Sequence, residues 1–180
     1  MDTAFVISRL ENFEGREPHM YQCTGGKVTI GIGHAIETPA DALTLTWSID
    51  GQPAAGDEIQ ADYASVAAAQ KGLVAKAYAP LTQSRMADAD IDALISSDVT
   101  SFEAKLAARL PNWNAYPAPA QAALFDMGFN LGPEGLMKFH QLLAAVDAGD
   151  WATAAAQCHR MGIGDDRNQQ TAALFLQAAG

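Results

Sequence analysis

The sequence predicts an α+β fold that is mostly helical, with one small sheet near its start. Apolar residues recur at three- and four-residue steps over most of the chain, which is typical of amphipathic helices. Between Met20 and Ile36 the period changes to two, so that Val28, Ile30 and Ile32 face one way and the residues between them face the other. At 180 residues the chain is long enough for one domain, or for two small lobes that share a core.

The first helix is predicted over residues 3–13. Asp2 or Thr3 caps its amino end, because a short polar side chain can accept a hydrogen bond from a free backbone N–H there. Gly15 ends it, since glycine readily takes the left-handed conformation that follows a helix. Glu14 is therefore expected at the carboxyl end of this helix.

A β-hairpin is predicted next, with its turn at Gly25 and Gly26. In its second strand Thr29, Gly31 and Gly33 share the face opposite the apolar residues, and the two glycines leave a strip without side chains. Such a strip lets a flat, hydroxylated ring approach the backbone, or it serves tight packing or a bulge. The residues alone do not decide between these uses.

The rest of the chain is predicted to be helical, apart from a turn or small hairpin at residues 47–53. The strongest pattern lies before Pro111 and is expected to form a long structural helix. The predicted helices after the first hairpin cover residues 62–77, 91–106, 117–129, 135–146, 151–159 and 167–178.

The formal net charge is -10, with only 11 basic residues, which disfavours nucleic acid as a partner because phosphate binding needs clustered Lys and Arg. The same charge gives no attraction to an anionic wall or membrane. Cys23 and Cys158 lie in different contexts, which argues against a disulfide. The amino terminus lacks the pattern of a signal peptide, and no stretch is long enough to span a bilayer.

Glu14 is the first candidate for a chemical role. The carbonyl end of a helix carries partial negative charge and Glu11 lies one turn back, so a further negative charge is unfavourable at Glu14. A local rule broken in this way indicates either a solvated surface residue or a functional one.

The run from Glu14 to His34, EGREPHMYQCTGGKVTIGIGH, resembles the active-site segment of the phage-type lysozymes, the endolysin muramidases of glycoside hydrolase family 24. That family is marked by a Glu, eight residues, an Asp or Cys, five residues and a Thr, and Glu14, Cys23 and Thr29 stand at this spacing. The TIGIGH segment is specific in its own right. Together these features are far more specific than a lone glutamate or a lone glycine pair.

Weaker similarity continues downstream. The segment LISSDV at residues 94–99 resembles the start of the family's interlobe helix, which implies a structural ion pair between His34 and Asp98. The segment FNLG resembles the part of the family whose amide side chain lines the substrate cleft, which implies that role for Asn130. Arg167 is similar in position to the family's cleft arginine, which contacts the catalytic acid.

The resemblance implies a lysozyme-like fold with a small amino-terminal β-hairpin lobe and a larger helical lobe, joined by a long helix. The first lobe is expected over about residues 15–85 and the second over about 1–14 and 86–180. Residues 47–83 are longer than the matching stretch of the compact phage enzymes, so they are expected to be an insertion.

The implied activity is that of a muramidase, which cleaves the β-1,4 bond between N-acetylmuramic acid and N-acetylglucosamine of bacterial peptidoglycan without a metal or cofactor. Glu14 is then the general acid. Cys23 and Thr29 position the attacking water, because a neutral thiol is a poorer base than the carboxylate that many relatives carry. Gly31 and Gly33 support sugar binding, and attack by water favours inversion at the anomeric carbon.

The implied setting is a monomer, made in the cytoplasm without a signal peptide, that acts on the wall in the periplasm. It reaches the wall after holin release in host lysis by a phage, or through a secretion system in attack on rival bacteria. The acidic charge leans towards the second route, for which an export machinery and a cognate immunity protein are the expected partners.

Two other functions stay open. Cys23 and His34 are residue types that a cysteine peptidase or amidase would use to cut the peptides of peptidoglycan. A catalytically silent wall-binding module would keep the same fold. The remaining candidates are weaker, since Asp126 is expected to be an exposed helix residue and the other histidines do not cluster like metal ligands: His19, His140 and His159.

Overall fold

The computed structural model describes residues 1–180 and divides the chain into two compact units. One unit is continuous, Leu10–Asp98, and we call it the hairpin unit. The other consists of Met1–Arg9 and Val99–Gly180, and we call it the helical unit. The boundaries between the units fall inside two helices, α1 (Thr3–Glu14) and α4 (Asp88–Ala107).

Helix α1 begins and ends for the predicted reasons. Asp2 caps its amino end, where the Oδ1 atom accepts a hydrogen bond of 3.0 Å from the backbone N–H of Phe5. Gly15 follows the helix with a φ angle of +77°. This left-handed residue stops the helix and leaves Glu14 in its last position.

The hairpin unit contains a small antiparallel sheet whose strands follow one another in sequence order: β1 (Glu17–Gln22), β2 (Val28–Gly31) and β3 (His34–Ala35). The predicted turn between β1 and β2 is present, with Gly26 at a φ angle of +76° and its N–H donating to the Cys23 carbonyl at 2.8 Å. The apolar residues of β2 are buried, but so is Thr29, at 2% exposure. Both faces of this strand are therefore covered.

The insertion predicted at residues 47–83 contains ordered elements: strands β4 (Ser48–Ile49) and β5 (Gln52–Pro53), helix α3 (Gly56–Ala68) and the 3-10 segment Ala75–Leu81. They follow the short helix α2 (Pro39–Ala42). The predicted hairpin at 47–53 is confirmed, because β4 and β5 pair. The single helix predicted over 62–77 is wrong in its bounds. The Glu58 carboxylate accepts from the Ala55 N–H at 2.7 Å and starts α3 earlier, and an extended Ala69 ends it.

The segment at residues 47–83 is tied to strand β1 by a buried amide. The Nε2 atom of Gln22 donates to the Val66 carbonyl at 2.5 Å and to the Ala69 carbonyl at 3.2 Å. These carbonyls lie at the carboxyl end of α3, where the last carbonyl groups of a helix have no N–H donor within the helix. Gln22 therefore caps α3 and joins it to the strand that precedes Cys23.

The helical unit contains the later helices: α5 (Ala118–Leu131), α6 (Pro133–Leu136), α7 (His140–Asp147), α8 (Trp151–Gln157) and α9 (Asp165–Gln177), with a 3-10 turn at Trp113–Ala115. The single helix predicted over 135–146 is wrong, because α6 and α7 are separate. Phe139, with φ -84° and ψ 60°, breaks the helical path between them. Phe102, Phe125 and Phe129 pack together in the core, with ring centroids 5.2 to 6.0 Å apart. None of the helices combines the length and apolar character that crossing a bilayer requires.

Candidate active site

Glu14 is half-buried at the carboxyl end of α1, in the hairpin unit. Glu11 lies one turn before Glu14, and its negative charge is offset by a nearby arginine. Arg16 donates from Nε to Glu11 Oε1 at 2.8 Å and from Nη2 to Asp92 Oδ1 at 2.6 Å. The guanidinium therefore offsets the charge of Glu11, and hydrogen bonds to both carboxylates raise the pKa of Arg16.

Tyr21 connects Glu14 electrostatically with Cys23. Burial raises the pKa of the Tyr21 phenol, the charges of Glu14 and Cys23 raise it further, and a hydrogen bond with the Gly33 backbone lowers it. Both candidate residues therefore lie within electrostatic range of one phenol. With a raised pKa, the phenol keeps its proton at neutral pH and remains a hydrogen-bond donor.

The strand register places Tyr21 of β1 and Thr29 of β2 on one face of the sheet. Tyr21 lies directly opposite Thr29, and directly opposed residues of antiparallel strands point to the same side. Cys23 follows two residues after Tyr21 and therefore shares that side as the strand ends. Its N–H donates to the Lys27 carbonyl at 3.0 Å, which extends the pairing by one step into the turn.

Cys23 is a half-buried free thiol, and Cys158 is a buried one. An ideal Cβ atom on Gly25 would lie 3.6 Å from the Cys23 Sγ, so the sulfur rests against the hairpin turn. Thr29 is more enclosed, and its hydroxyl donates to the Lys27 carbonyl at 3.0 Å. The single hydroxyl proton of Thr29 is thus used, and its oxygen is left to accept a hydrogen bond from another group.

Gly31 and Gly33 have structural reasons to be glycine. Both adopt positive φ angles, +63° and +80°. A Cβ atom on Gly31 would lie 3.2 Å from the Cγ2 atom of Ile91, which is tighter than ordinary contact. Of the two uses that the sequence left open for the glycine strip, tight packing explains Gly31. The Gly33 backbone contacts the Tyr21 phenol.

His34 and Asp98 form the pair that the resemblance implied. The Nδ1 atom of His34 lies 2.8 Å from Asp98 Oδ2, and both side chains are about one quarter exposed. The contact joins strand β3 to helix α4 within the hairpin unit. His19, by contrast, is a buried residue whose Nε2 atom is hydrogen-bonded to the Ala75 carbonyl at 3.0 Å.

Asn130 and Arg167 belong to the helical unit. Asn130 is exposed in the last turn of α5. Arg167, at the start of α9, donates to Asp126 Oδ1 from Nε at 3.1 Å and from Nη2 at 2.9 Å.

The sequence context predicted that Asp126 is exposed, and this prediction is wrong. Its side chain is only 2% exposed and lies at the centre of a buried cluster. Arg160 donates to its Oδ2 atom at 2.8 Å, and the Arg9 Nη2 atom lies 3.7 Å from the same oxygen. Burial alone would raise the pKa of Asp126, but the charges of Arg167, Arg160 and Arg9 outweigh it and hold the pKa below its usual range. The sequence context failed because these cations come from distant parts of the chain.

The model of the phage lysozyme family matches residues 11–175. The chain belongs to the phage lysozyme family. It is also 30% identical over 151 residues to the pre-baseplate central spike protein Gp5 of Enterobacteria phage T4. That match covers 83% of this chain and 23% of the phage protein, so the chain spans about a quarter of its relative's length.

Membership of the phage lysozyme family agrees with the observed α+β fold, which is mostly helical with a small antiparallel sheet. No group of three or more His, Cys, Asp or Glu side chains could hold a metal ion. Tyr21 was missed as a candidate at the level of sequence. Its position two residues before Cys23, on the same strand face, was the available signal.

Proposed function

We propose that this lysozyme-family chain is a muramidase that hydrolyses the β-1,4 bond between N-acetylmuramic acid and N-acetylglucosamine of peptidoglycan. The observation that carries the proposal is that Glu14 and Cys23 both act electrostatically on the Tyr21 phenol, with Thr29 directly opposite Tyr21 in the sheet. Glycoside hydrolysis needs an acid for the leaving oxygen and a group that places the nucleophile. Glu14, at the end of α1, is a residue type for the first task, and Cys23 and Thr29 are residue types for the second.

Glu14 serves as the general acid and donates a proton to the leaving glycosidic oxygen. Water, positioned by Cys23 and Thr29, attacks the anomeric carbon from the other face of the sugar as the bond to the leaving oxygen breaks. The proton that this water loses passes to solvent, from which Glu14 regains one. Because the Thr29 hydroxyl already donates to the Lys27 carbonyl, its oxygen accepts a hydrogen bond from this water. Direct attack by water inverts the anomeric configuration, and retained configuration in the first product, seen by NMR, would contradict this mechanism.

The other predicted residues have supporting roles in the proposal. The contact between His34 and Asp98 holds β3 against α4 and so steadies the sheet that carries Thr29. Asn130 is exposed and has an amide that can bind substrate. Gly31 supports the site through its close packing against Ile91 rather than by leaving room for a sugar, and Arg167 is held in place by Asp126.

A biological role in attack on bacterial walls follows from this activity. The phage T4 relative is a central spike protein by name, and its likeness favours delivery by an injection or secretion machinery over release through a holin lesion. Under this route a producing cell needs a cognate immunity protein. Co-expression of periplasmically directed chain with candidate immunity genes tests the role, and lysis that no neighbouring gene prevents argues against it.

The decisive experiment compares wild type with Glu14→Gln on purified peptidoglycan. Loss of the acid is expected to lower the rate by about a hundredfold or more, since general acid catalysis contributes roughly 10²–10⁴. Glu134→Gln is the matched control, because Glu134 is an exposed glutamate in the helical unit. Turbidity gives the rate, and mass analysis of fragments with assay of new reducing ends identifies the bond cut.

The two other functions predict different results. A cysteine peptidase or amidase keeps its activity in Glu14→Gln, is lost on thiol alkylation and releases amino groups instead of reducing ends. Against it, the His34 Nδ1 atom is engaged with Asp98, and no hydrogen bond joins His34 to Cys23. A silent wall-binding module sediments with peptidoglycan but does not clear it, and that result would overturn the muramidase proposal.

A further inference from the structure

Lys71 of the inserted segment lies on the turn that carries Cys23. It occupies the loop between α3 and the 3-10 segment Ala75–Leu81. An ideal Cβ atom on Gly26 would lie 3.0 Å from the Cε atom of Lys71 and 3.1 Å from its Nζ atom. The lysine side chain therefore rests on the backbone of the hairpin turn, in a place that only the absence of a side chain at Gly26 leaves open.

The Lys71 ammonium and the Cys23 thiol contact neighbouring residues of one turn. Sγ of Cys23 lies 3.6 Å from the position of a Cβ on Gly25, and Nζ of Lys71 lies 3.1 Å from that of a Cβ on Gly26. Consecutive Cα atoms are about 3.8 Å apart. The segment at residues 47–83 thus brings a positive charge to the hairpin turn that also carries Cys23, the residue that the proposed mechanism uses to place water.

The charge of Lys71 is not used to hold the fold together. Lys71 is exposed, and no carboxylate lies within ion-pair distance of it. The other lysine of this turn, Lys27, donates to Glu37 Oε1 at 2.6 Å. In a chain of net charge -10, Lys71 is therefore the uncompensated cation of the hairpin turn.

We propose that Lys71 binds a carboxylate of the peptidoglycan substrate, which makes the inserted segment part of the recognition surface. The inference rests on the proposed muramidase function. Peptidoglycan offers carboxylates from its peptide stems, and from the lactyl group of muramic acid where the peptide is absent. An ammonium on a flexible stem recognises either as a point charge. It also explains how an acidic protein engages an anionic polymer beside its candidate water-placing thiol.

The test compares Lys71→Gln with Lys71→Arg and with Lys76→Gln, a matched control that removes an exposed lysine from the same segment. On soluble peptidoglycan fragments at low salt, Lys71→Gln is expected to raise KM about three- to fivefold with kcat unchanged, as for loss of an exposed charge pair. Lys71→Arg keeps the wild-type KM, and Lys76→Gln does not change it. As the salt concentration rises, the difference in KM between wild type and Lys71→Gln becomes smaller.

Modified substrates identify the ligand. When the carboxylates are converted to amides with carbodiimide and methylamine, wild type and Lys71→Gln are expected to have the same KM. Glycan strands stripped of peptides by an amidase carry free lactyl carboxylates in place of the peptide carboxylates. A difference in KM on these strands shows that Lys71 binds the lactyl carboxylate, and its absence there assigns the peptide carboxylates as the ligand.

Two outcomes overturn the inference in distinguishable ways. If wild type cleaves the native fragments and Lys71→Gln matches Lys76→Gln, Lys71 does not bind the substrate, although the muramidase proposal stands. If wild type cleaves none of the substrates, the muramidase proposal itself fails, and the inference fails with it.

Discussion

The hairpin unit and the helical unit hold their polar residues in different ways. In the hairpin unit Cys23 and Thr29 are placed by the backbone, through the strand register and a turn with a left-handed glycine. In the helical unit Asp126 is placed by side chains, because Arg160 and Arg167 bind its carboxylate from other segments. The first arrangement is local in sequence and the second is not.

This difference affects how each unit responds to substitution. Removal of a side chain in the hairpin leaves the hydrogen bonds of the backbone intact, so the site changes in chemistry more than in shape. Removal of the Asp126 carboxylate leaves buried guanidinium groups without their counter-charge, which is far more costly. The comparison therefore predicts that removal of a polar side chain lowers stability in the helical unit and activity in the hairpin unit.

The largest effect on stability is expected for Asp126→Asn. The neutral amide no longer balances Arg9, Arg160 and Arg167, and loss of one partner of a buried ion pair costs about 3–5 kcal/mol. Urea unfolding at pH 7 measures the free energy of unfolding. Glu134→Gln, which breaks an exposed contact with Arg109, is the control and should cost about 1 kcal/mol or less.

Wild type and Asp126→Asn also differ in how their stability depends on pH. The pKa of Asp126 is held below the usual range of an aspartate in the folded state, so its carboxylate stabilises the fold at neutral pH and loses this effect as the pH falls through the folded pKa. The difference between wild type and Asp126→Asn should therefore shrink below about pH 4. If the difference in free energy of unfolding between the two proteins stays constant down to about pH 2, the Asp126 carboxylate does not stabilise the helical unit by its charge.

Gly31→Ala tests whether the hairpin depends on backbone geometry. Its φ of +63° and the 3.2 Å approach to Ile91 predict a loss of about 2–5 kcal/mol, the sum of left-handed strain and overpacking. Gly149→Ala is matched in φ, at +69°, but its Cβ would meet no atom within 4 Å. Thermal unfolding should show a larger loss of stability for Gly31→Ala than for Gly149→Ala. Equal losses would show that the contact with Ile91 does not contribute.

The smallest effect is expected for Cys23→Asp, because a carboxylate can also orient water and many relatives carry one. Activity on peptidoglycan should stay within about threefold of wild type, whereas Cys23→Ala should lose about tenfold, since a misplaced reactant slows the reaction without change in the fold. Cys158→Ala is the control for loss of a thiol away from the hairpin. Full activity in Cys23→Ala would show that this position does not place the water.

The parts of the fold that could be predicted from the sequence are those with local causes. The cap at Asp2, the stop at Gly15 and the turn at Gly26 each depend on neighbours within a few residues. The bounds of α3 were wrong because Glu58 caps the Ala55 N–H, and Gln22 binds the other end of the helix from a distant strand. The break before α7 depends on one residue, Phe139, whose type does not reveal its backbone angles.

By itself, the sequence determined the helical character of the chain, the hairpin and the spacing of Glu14, Cys23 and Thr29, because periodicity, turn residues and motif spacing act over short stretches. Only the tertiary structure decided the burial of Asp126 among three arginines and the place of Lys71 over Gly26. Both depend on contacts between segments far apart in the chain. The sequence shows that a residue is charged but not whether its side chain is solvated or buried. Its partners come from other segments and are brought to it only when the chain folds.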